Sequence, residues 1–299
     1  MVDLSSFVGA SAVALSMCYV CLSIGNPCTI QAFNGKVLES IRSNGGHFVV
    51  LEWVDTKMWS LIFISWCLVV LYQLTSSFRK QQKPSGNAGE AISSIGHIHW
   101  LYNFFAVLGM FAHVNWVRHV KAGDIGGGLT VVSIGFLLLA TALMIVLYSL
   151  YKKTGDLQKR GLKFDLYSMR LIVINATDFL CTYTLVNNLM VLDTYLISVQ
   201  GFSAEDSNFY LMAFLVYMQV VNLYTDLKYF NYLTRYLAGG YITLFTGSLG
   251  VMLYQMVSLP HLPMMTLLNF LISVICPLYK IHKQENENER SENKEKKTK

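Results

Sequence analysis

The sequence predicts an all-α protein, a polytopic membrane bundle of about eight transmembrane helices. Hydrophobic residues make up 54% of the 299 positions. Charged residues make up only 14%, against about 25% in a soluble domain. Many of those charges crowd into residues 280–299, so the remainder of the chain is poorer still in charge. This composition excludes a soluble globule, a disordered chain and a nucleic-acid-binding protein.

Individual spans follow from the length of the apolar stretches, because a helix needs about 20 mostly apolar residues to cross a bilayer core. Eight stretches come close to this length; the third and sixth are the most polar, and the last is short. Together they form one transmembrane domain over residues 1–279. The predicted spans are residues 7–24, 58–75, 97–117, 128–151, 169–192, 208–227, 238–258 and 262–279.

Turn-forming residues support the boundaries between these spans, since Gly and Pro interrupt helices. A Gly-Asn-Pro turn at residues 25–27 ends the first span, and Pro-Ser-Gly at residues 84–86 separates the second from the third. Three glycines at residues 126–128 open the fourth span. Two prolines, at positions 260 and 263, separate the seventh from the eighth.

Lysine and arginine in the loops set the predicted orientation, because short cytosolic loops carry an excess of both residues. Residues 76–96, 152–168 and 228–237 are basic, as is the tail, whereas residues 193–207 contain no Lys or Arg. With eight spans and both termini in the cytosol, these basic segments fall on the same side of the membrane. Residues 25–57 then form the longest lumenal loop.

The first span has a second interpretation, as a secretory signal. Such a signal needs a basic start, yet residues 1–6 contain Asp3 and no basic residue. The uncleaved helix is therefore favoured. Cleavage would leave seven spans with the N-terminus outside, which is the topology of a receptor.

The C-terminal tail, residues 280–299, is predicted to be a disordered cytosolic segment, because so polar a run buries no apolar area. Lys296 and Lys297 stand fourth and third from the end. This pattern resembles the dilysine retrieval signal of endoplasmic-reticulum membrane proteins, which cytosolic coat machinery reads as an address. The resemblance implies residence in the endoplasmic reticulum membrane; the other interpretation is a solvated charge run.

Polar residues inside the fifth and sixth spans are the predicted site, because ionisable groups in a membrane are costly and are often functional. Residues three or four apart share one face of a helix. The two stripes could line one hydrated site or hold the helices together by hydrogen bonds. For Asp226 we expect solvation or a pair with Lys228 or Arg235. The candidate residues are Asn175, Asp178, Thr182, Gln219, Asn222 and Asp226.

Small residues at every fourth position mark the seventh span: Gly239, Thr243 and Gly247. This spacing lets helix backbones approach closely. It predicts packing inside the bundle or, alternatively, the face of a homo- or hetero-oligomer.

No cofactor and no metal site is predicted. His99 and His113 lie on one broad face of the third span, but about 21 Å apart along the helix axis, too far to share a metal ion. Histidine boxes, Gly-x-Ser-x-Gly and His-Glu-x-x-His are absent from the sequence, so an enzyme is unsupported. The leading hypothesis is a protein of the early secretory pathway that handles a substrate within the membrane, as a transporter, a channel, or a partner in cargo transport or folding. A lipid-modifying enzyme and a seven-span receptor are the alternatives.

The predicted orientation can be tested with engineered N-glycosylation acceptors. An acceptor placed near Ser203 should be glycosylated, because that loop is lumenal in the eight-span arrangement, and one near Asn87 should not. The measurement is the mobility shift of each variant before and after glycosidase treatment. Modification at Asn87, or at both positions, would contradict the arrangement.

Overall fold

A computed structural model describes residues 11–15, 38–79, 88–159, 163–230, 238–259 and 263–298. The structure is 91% helical, and no β-strand occurs in the described residues. Two π-helical segments, Met169–Ile174 and Asp226–Phe230, follow α4 and α6 respectively. The main helices are α1 (Glu52–Arg79), α2 (Ala88–Lys121), α3 (Ile125–Lys159), α4 (Lys163–Ser168), α5 (Asn175–Ser198), α6 (Ala204–Thr225), α7 (Gly239–Ser258) and α8 (Met264–Thr298).

Within the described residues, four stretches of helix are long and apolar enough to cross a membrane: Trp53–Thr75, Ile125–Lys152, Phe164–Ser198 and Met264–Gln284. The chain is thus a helical membrane protein, as predicted. Helices α2, α6 and α7 coincide with the third, sixth and seventh predicted spans but are not among these four. The first predicted span lies almost entirely outside the described residues. The count of eight spans stays a prediction.

Helix α5 is the central helix of the bundle. It forms most of the stretch Phe164–Ser198, whose most apolar window is 67% buried, against 28% for the windows of Ile125–Lys152 and Met264–Gln284. It packs against α1, α3, α6 and α7. Its apolar side chains, among them Leu180, Leu189 and Val191, belong to the hydrophobic core. A helix enclosed in this way presents few residues to lipid, so the polar residues of its sequence must find partners on other helices.

Helices α2 and α3 form an antiparallel hairpin around a tight turn. Gly123 adopts a positive φ of 80° there. Asp124 accepts a hydrogen bond from the Gly127 backbone N–H at 2.8 Å and contacts the His119 ring at 2.8 Å. The pKa of the Asp124 carboxyl is held below its usual range, mainly by the hydrogen bond from the Gly127 N–H and secondly by the one from the His119 side chain. The carboxylate therefore caps the N-terminus of α3.

Residues 38–51 are packed into the bundle, although the sequence predicted a loop over residues 25–57. Phe48, Val49 and Val50 are buried. Buried Asp193 of α5 accepts hydrogen bonds from the backbone N–H groups of His47, at 2.6 Å, and Phe48, at 2.7 Å. The segment is a connection without a span, and the sequence analysis did not foresee its packing: its apolar residues are too few to cross a membrane yet sufficient to join the core.

Helix α8 continues to Thr298, through residues for which the sequence predicted disorder. The physical reason for the difference is composition: Glu, Lys, Gln and Arg, which dominate this stretch, are good helix formers even where nothing is buried. Lys296 and Lys297 lie in the last turn of this helix.

Candidate functional site

The N-terminus of α7 is capped by side chains of α5. The first N–H groups of a helix have no partner within the helix, and Ala238 provides no side-chain cap. The side-chain oxygen of Asn175 accepts from the N–H groups of Ala238 and Gly239, at 2.7 and 2.9 Å. Asp178 accepts from the Gly240 N–H at 2.5 Å. Two of the predicted site residues thus join α5 to α7.

The glycines of α7 permit this close approach. A Cβ atom added to Gly239 would lie 2.5 Å from the Asn175 carbonyl oxygen, and one added to Gly240 would lie 2.6 Å from the Asp178 carboxylate. A Cβ at Gly247 would lie 3.3 Å from Val186 of α5. Thr243 is also buried. The small-residue spacing of Gly239, Thr243 and Gly247 therefore serves packing within the chain, which was one of its two predicted uses.

A buried ion pair lies beside this junction. The Lys280 ammonium of α8 is 2.5 Å from the Asp226 carboxylate, and the side chains are only 5% and 4% exposed. The Tyr241 hydroxyl donates to the same Asp226 oxygen at 2.9 Å. The Lys280 nitrogen also lies 4.9 Å from the centre of the Tyr241 ring, within cation–π range. Three helical segments thus meet at one carboxylate.

Asp226 has a buried partner that the sequence analysis did not name. Lys228, one of its two predicted partners, is exposed and donates to the Tyr224 hydroxyl at 2.7 Å. The other, Arg235, lies outside the described residues, so that pairing stays a prediction. Lys280 reaches Asp226 because α8 returns to the end of the bundle where α6 ends. The sequence assigned Lys280 to the tail, since the apolar run stops at position 279.

Asp178 belongs to the same group of charges. Both Lys280 and Asp226 act on its carboxylate electrostatically. Its hydrogen-bond donors are neutral, namely the Gly240 N–H and the Thr182 hydroxyl, the latter at 3.5 Å. Within the described part of the chain, no Lys or Arg forms an ion pair with Asp178. We refer to Asp178, Asp226, Tyr241 and Lys280 as the charge cluster.

Irregular helix geometry surrounds the charge cluster. The π-helical segment Met169–Ile174 ends one turn before Asp178, and the segment Asp226–Phe230 begins at Asp226 itself. Pro277 lies inside α8, one turn before Lys280, where its ring removes a backbone hydrogen bond. π-Helical turns occur frequently at functional sites. Each of the three elements that supply a charge is therefore distorted close to that charge.

The other predicted site residues lie elsewhere. The Gln219 amide donates to Asn269 of α8 at 2.7 Å, so it faces α8 rather than α5. Asn222 is exposed on the surface of α6. The two stripes were predicted to line one site or to hold α5 and α6 together by hydrogen bonds. In the described residues Gln219 bonds to α8 and not to α5, and the place of Asn222 in a site stays a prediction.

Lys280 and Tyr241 are the site residues that the sequence analysis missed. Tyr241 follows two glycines at the start of a span and has no charged neighbour in the sequence, so no local signal marks it. Lys280 had a signal: it immediately follows an apolar run and lies on the same face of α8 as Ser273 and Cys276, at steps of three and four. Extending the last predicted span by a turn would have brought it into the membrane domain.

Two other carboxylates are buried in the bundle and differ in their partners. Asp193 accepts the two backbone N–H groups described above and the Ser207 hydroxyl at 2.6 Å. Asp55 of α1 accepts a hydrogen bond from the Tyr183 hydroxyl of α5. Lysine and arginine form no ion pair with Asp193 within the described residues. A directly paired lysine thus distinguishes the charge cluster from the Asp193 site.

Comparisons with known proteins provide no family for this chain: no family model, no curated protein and no solved structure matches it. Its chemistry has to be interpreted from its own geometry.

The ion pair predicts a specific pattern of stability. Removing one partner of a buried pair leaves the other charge uncompensated, which costs about 3–5 kcal/mol. Lys280→Met and Asp226→Leu should each lower the melting temperature in detergent. The double variant should recover most of the loss, because it buries no unpaired charge.

Lys228→Met is the matched control, since it removes an exposed lysine two residues from Asp226. We expect no change in its melting temperature. A loss as large as that of Lys280→Met would show that Lys228, and not Lys280, neutralises Asp226. Additive losses in the double variant would likewise contradict the pair.

Proposed function

We propose that the protein is a multi-pass transporter of the endoplasmic reticulum membrane that moves a small cationic solute through an eight-span bundle. The observation that carries the proposal is the buried Asp226–Lys280 pair with a second carboxylate beside it: Asp178 accepts from Gly240, the residue next to Tyr241, which bonds Asp226. Asp178 has neutral donors, and a cationic ligand is the counterpart that such a carboxylate binds. Lys280 would compete with the solute for the two acids.

The cost of these groups supports a functional role. A charged residue at the centre of a membrane helix costs about 2.5–3.5 kcal/mol on insertion scales. A single hydrogen bond between membrane helices stabilises the protein by only about 0.6 kcal/mol on average. An amide or hydroxyl would hold the helices together at lower cost, as Gln73 and Asn103 do between α1 and α2 with hydrogen bonds of 2.9 and 3.1 Å. Retaining three charges in one place favours transport over packing alone.

The tail supports the proposed location. Lys296 and Lys297 match the dilysine pattern, and the basic loops favour a cytosolic C-terminus, where coat machinery could bind the signal. Asp226 directly precedes the basic segment 228–237 in the sequence, and that segment is predicted to be cytosolic. In the proposed orientation the charge cluster therefore lies near the cytosolic side.

Transport can be tested with Asp178→Asn. Asn keeps an oxygen that accepts the Gly240 N–H, so the cap of α7 should persist, while the charge that binds the cation is lost. A charge-assisted contact is worth about 1.5–3 kcal/mol, so uptake should fall by about tenfold or more. The measurement is uptake of radiolabelled sodium and methylammonium by proteoliposomes, per folded molecule.

Asn222→Ala is the control for this experiment, because Asn222 is exposed on the same bundle but lies outside the charge cluster. It should keep full uptake. Asp178→Leu, which loses the cap as well as the charge, should also lower the melting temperature. Full uptake by Asp178→Asn, or uptake of neither cation by the unmodified protein, would refute the proposal.

Location is tested separately by replacing Lys296 and Lys297 with Ser. The change removes the dilysine pattern and leaves the membrane domain intact, so the protein should move to the Golgi and the cell surface. Fluorescence microscopy and surface biotinylation measure the shift. An unchanged distribution would show that the two lysines are not an address.

A further inference from the structure

A second set of buried polar residues runs along the interface of α6, α7 and α8. In α7, Tyr241, Ser248 and Gln255 recur at intervals of seven, so they lie on one face of the helix. All are buried, as are the polar residues of the other two helices that face them. We call this set, together with the lysine and acid at its end, the polar ladder. Its members are Asn208, Gln219, Asp226, Tyr241, Ser248, Gln255, Thr266, Asn269, Ser273 and Lys280.

Hydrogen bonds between the helices connect the half of the ladder that lies farther from the charge cluster. The Thr266 hydroxyl donates to Gln255 at 2.6 Å, and the Gln255 amide donates to Asn208 at 2.7 Å. One level further along, Asn269 joins both neighbours: it accepts from Gln219 at 2.7 Å and donates to Ser248 at 2.9 Å. Each level therefore holds one residue from each of the three helices.

The ladder is long enough to cross most of a membrane. Fourteen residues separate Tyr241 from Gln255 and Lys280 from Thr266, which corresponds to about 21 Å of helix at 1.5 Å per residue. The hydrocarbon core of a bilayer is about 30 Å thick. One end of the ladder is the charge cluster, and the other end is formed by Asn208 and Thr266.

A cleft opens at that second end. Its volume is about 610 Å³, and Asn208 of the ladder is part of its lining. Glu205, Asp206 and His47 also line it, together with apolar side chains such as Phe209 and Met264. A cleft of this size accommodates a small organic ligand. Its two carboxylates favour a cation over an anion.

The ladder carries more polar groups than its own pairing uses. The side-chain oxygen of Gln219 is buried and accepts no hydrogen bond, and such an atom normally faces a missing donor or ion. Leucines would pack three helices as well, since helix association in lipid is driven by close packing. The unused acceptor therefore points to a ligand or water that enters the ladder.

Pro277 gives α8 a place to bend. It lies between Ser273 and Lys280, and proline inside a helix removes one backbone hydrogen bond and favours a kink there. Bending at this point would draw the ladder face of α8 away from α6 and α7. The residues now bonded to each other would then line an aqueous path.

We propose that the polar ladder is the closed form of a pathway for small cations, running from the cleft to the charge cluster. This inference rests on the proposed transport function. Beyond that function, it specifies that α8 separates from α6 and α7, that the solute enters at the cleft, and that it passes along the residues of the polar ladder.

Cysteine accessibility tests the pathway in lipid vesicles. Ser248→Cys places a thiol on the ladder, and Thr243→Cys places one on the face of α7 packed against α5; both parent residues are 1% exposed. Gln200→Cys is the exposed reference. Cys276 of the ladder face is replaced by Ser in every variant. The probe is a membrane-impermeant methanethiosulfonate that carries a trimethylammonium group. The labelling of the Cys276→Ser protein without an introduced cysteine is subtracted as background.

The expected result follows from the population of the open form. An open state populated at about 0.1–10% should label Ser248→Cys at that fraction of the rate for Gln200→Cys, with no labelling of Thr243→Cys. A sulfonate-bearing reagent should react less readily at Ser248→Cys, relative to Gln200→Cys, than the cationic one does.

Three results would overturn the inference: no labelling of Ser248→Cys, equal labelling of Ser248→Cys and Thr243→Cys, or no preference for the cationic reagent. Labelling measures access and not flux. A reactive, cation-selective Ser248→Cys in a protein without uptake would keep the pathway and reject the proposed transport.

Discussion

The bundle depends on one constraint, which is that polar groups on a central membrane helix must find partners on other helices. No water is available in the hydrocarbon region to satisfy them. Helix α5 meets this constraint with contacts in several directions: Thr177 to Tyr102 of α2 at 2.8 Å, Asn188 to Ser133 of α3 at 2.9 Å, and Asp178 to α7. Apolar burial alone gives little preference for one helix arrangement within lipid. These polar contacts therefore select the neighbours of α5.

Much of the fold could be predicted from the sequence, because apolar length and turn residues are local properties. The helical membrane class and most helix positions follow from them. The helix through Thr298 and the packed residues 38–51 could not be predicted, since neither has the length or composition of a span. Residues 38–51 are ordered by Asp193, a residue far along the chain, and pairings of that kind leave no local trace.

The candidate site could be predicted only in part, for a similar reason. Asp178 and Asp226 stand out because acids are rare in apolar runs. The pairing of Asp226 with Lys280 was not evident, because it depends on where α8 passes the end of α6. The last predicted span was ended before its first charged residue, so it left out Lys280, which the bundle buries. The seven-residue spacing of Tyr241, Ser248 and Gln255 was visible in the sequence, but it becomes meaningful only once α6 and α8 are seen on both sides.

The cap that α5 supplies to α7 and the lysine that α8 supplies to α6 differ in when they arrive during synthesis. Asn175 and Asp178 precede α7 on the nascent chain, so the start of α7 meets its acceptors as soon as it leaves the ribosome. Asp226 instead precedes Lys280 by a full helical hairpin. A truncated product that stops before position 280 would lack the lysine that pairs with this buried carboxylate, and removing one partner of a buried pair costs about 3–5 kcal/mol. The chain therefore has to be made almost to its end before this pair can form.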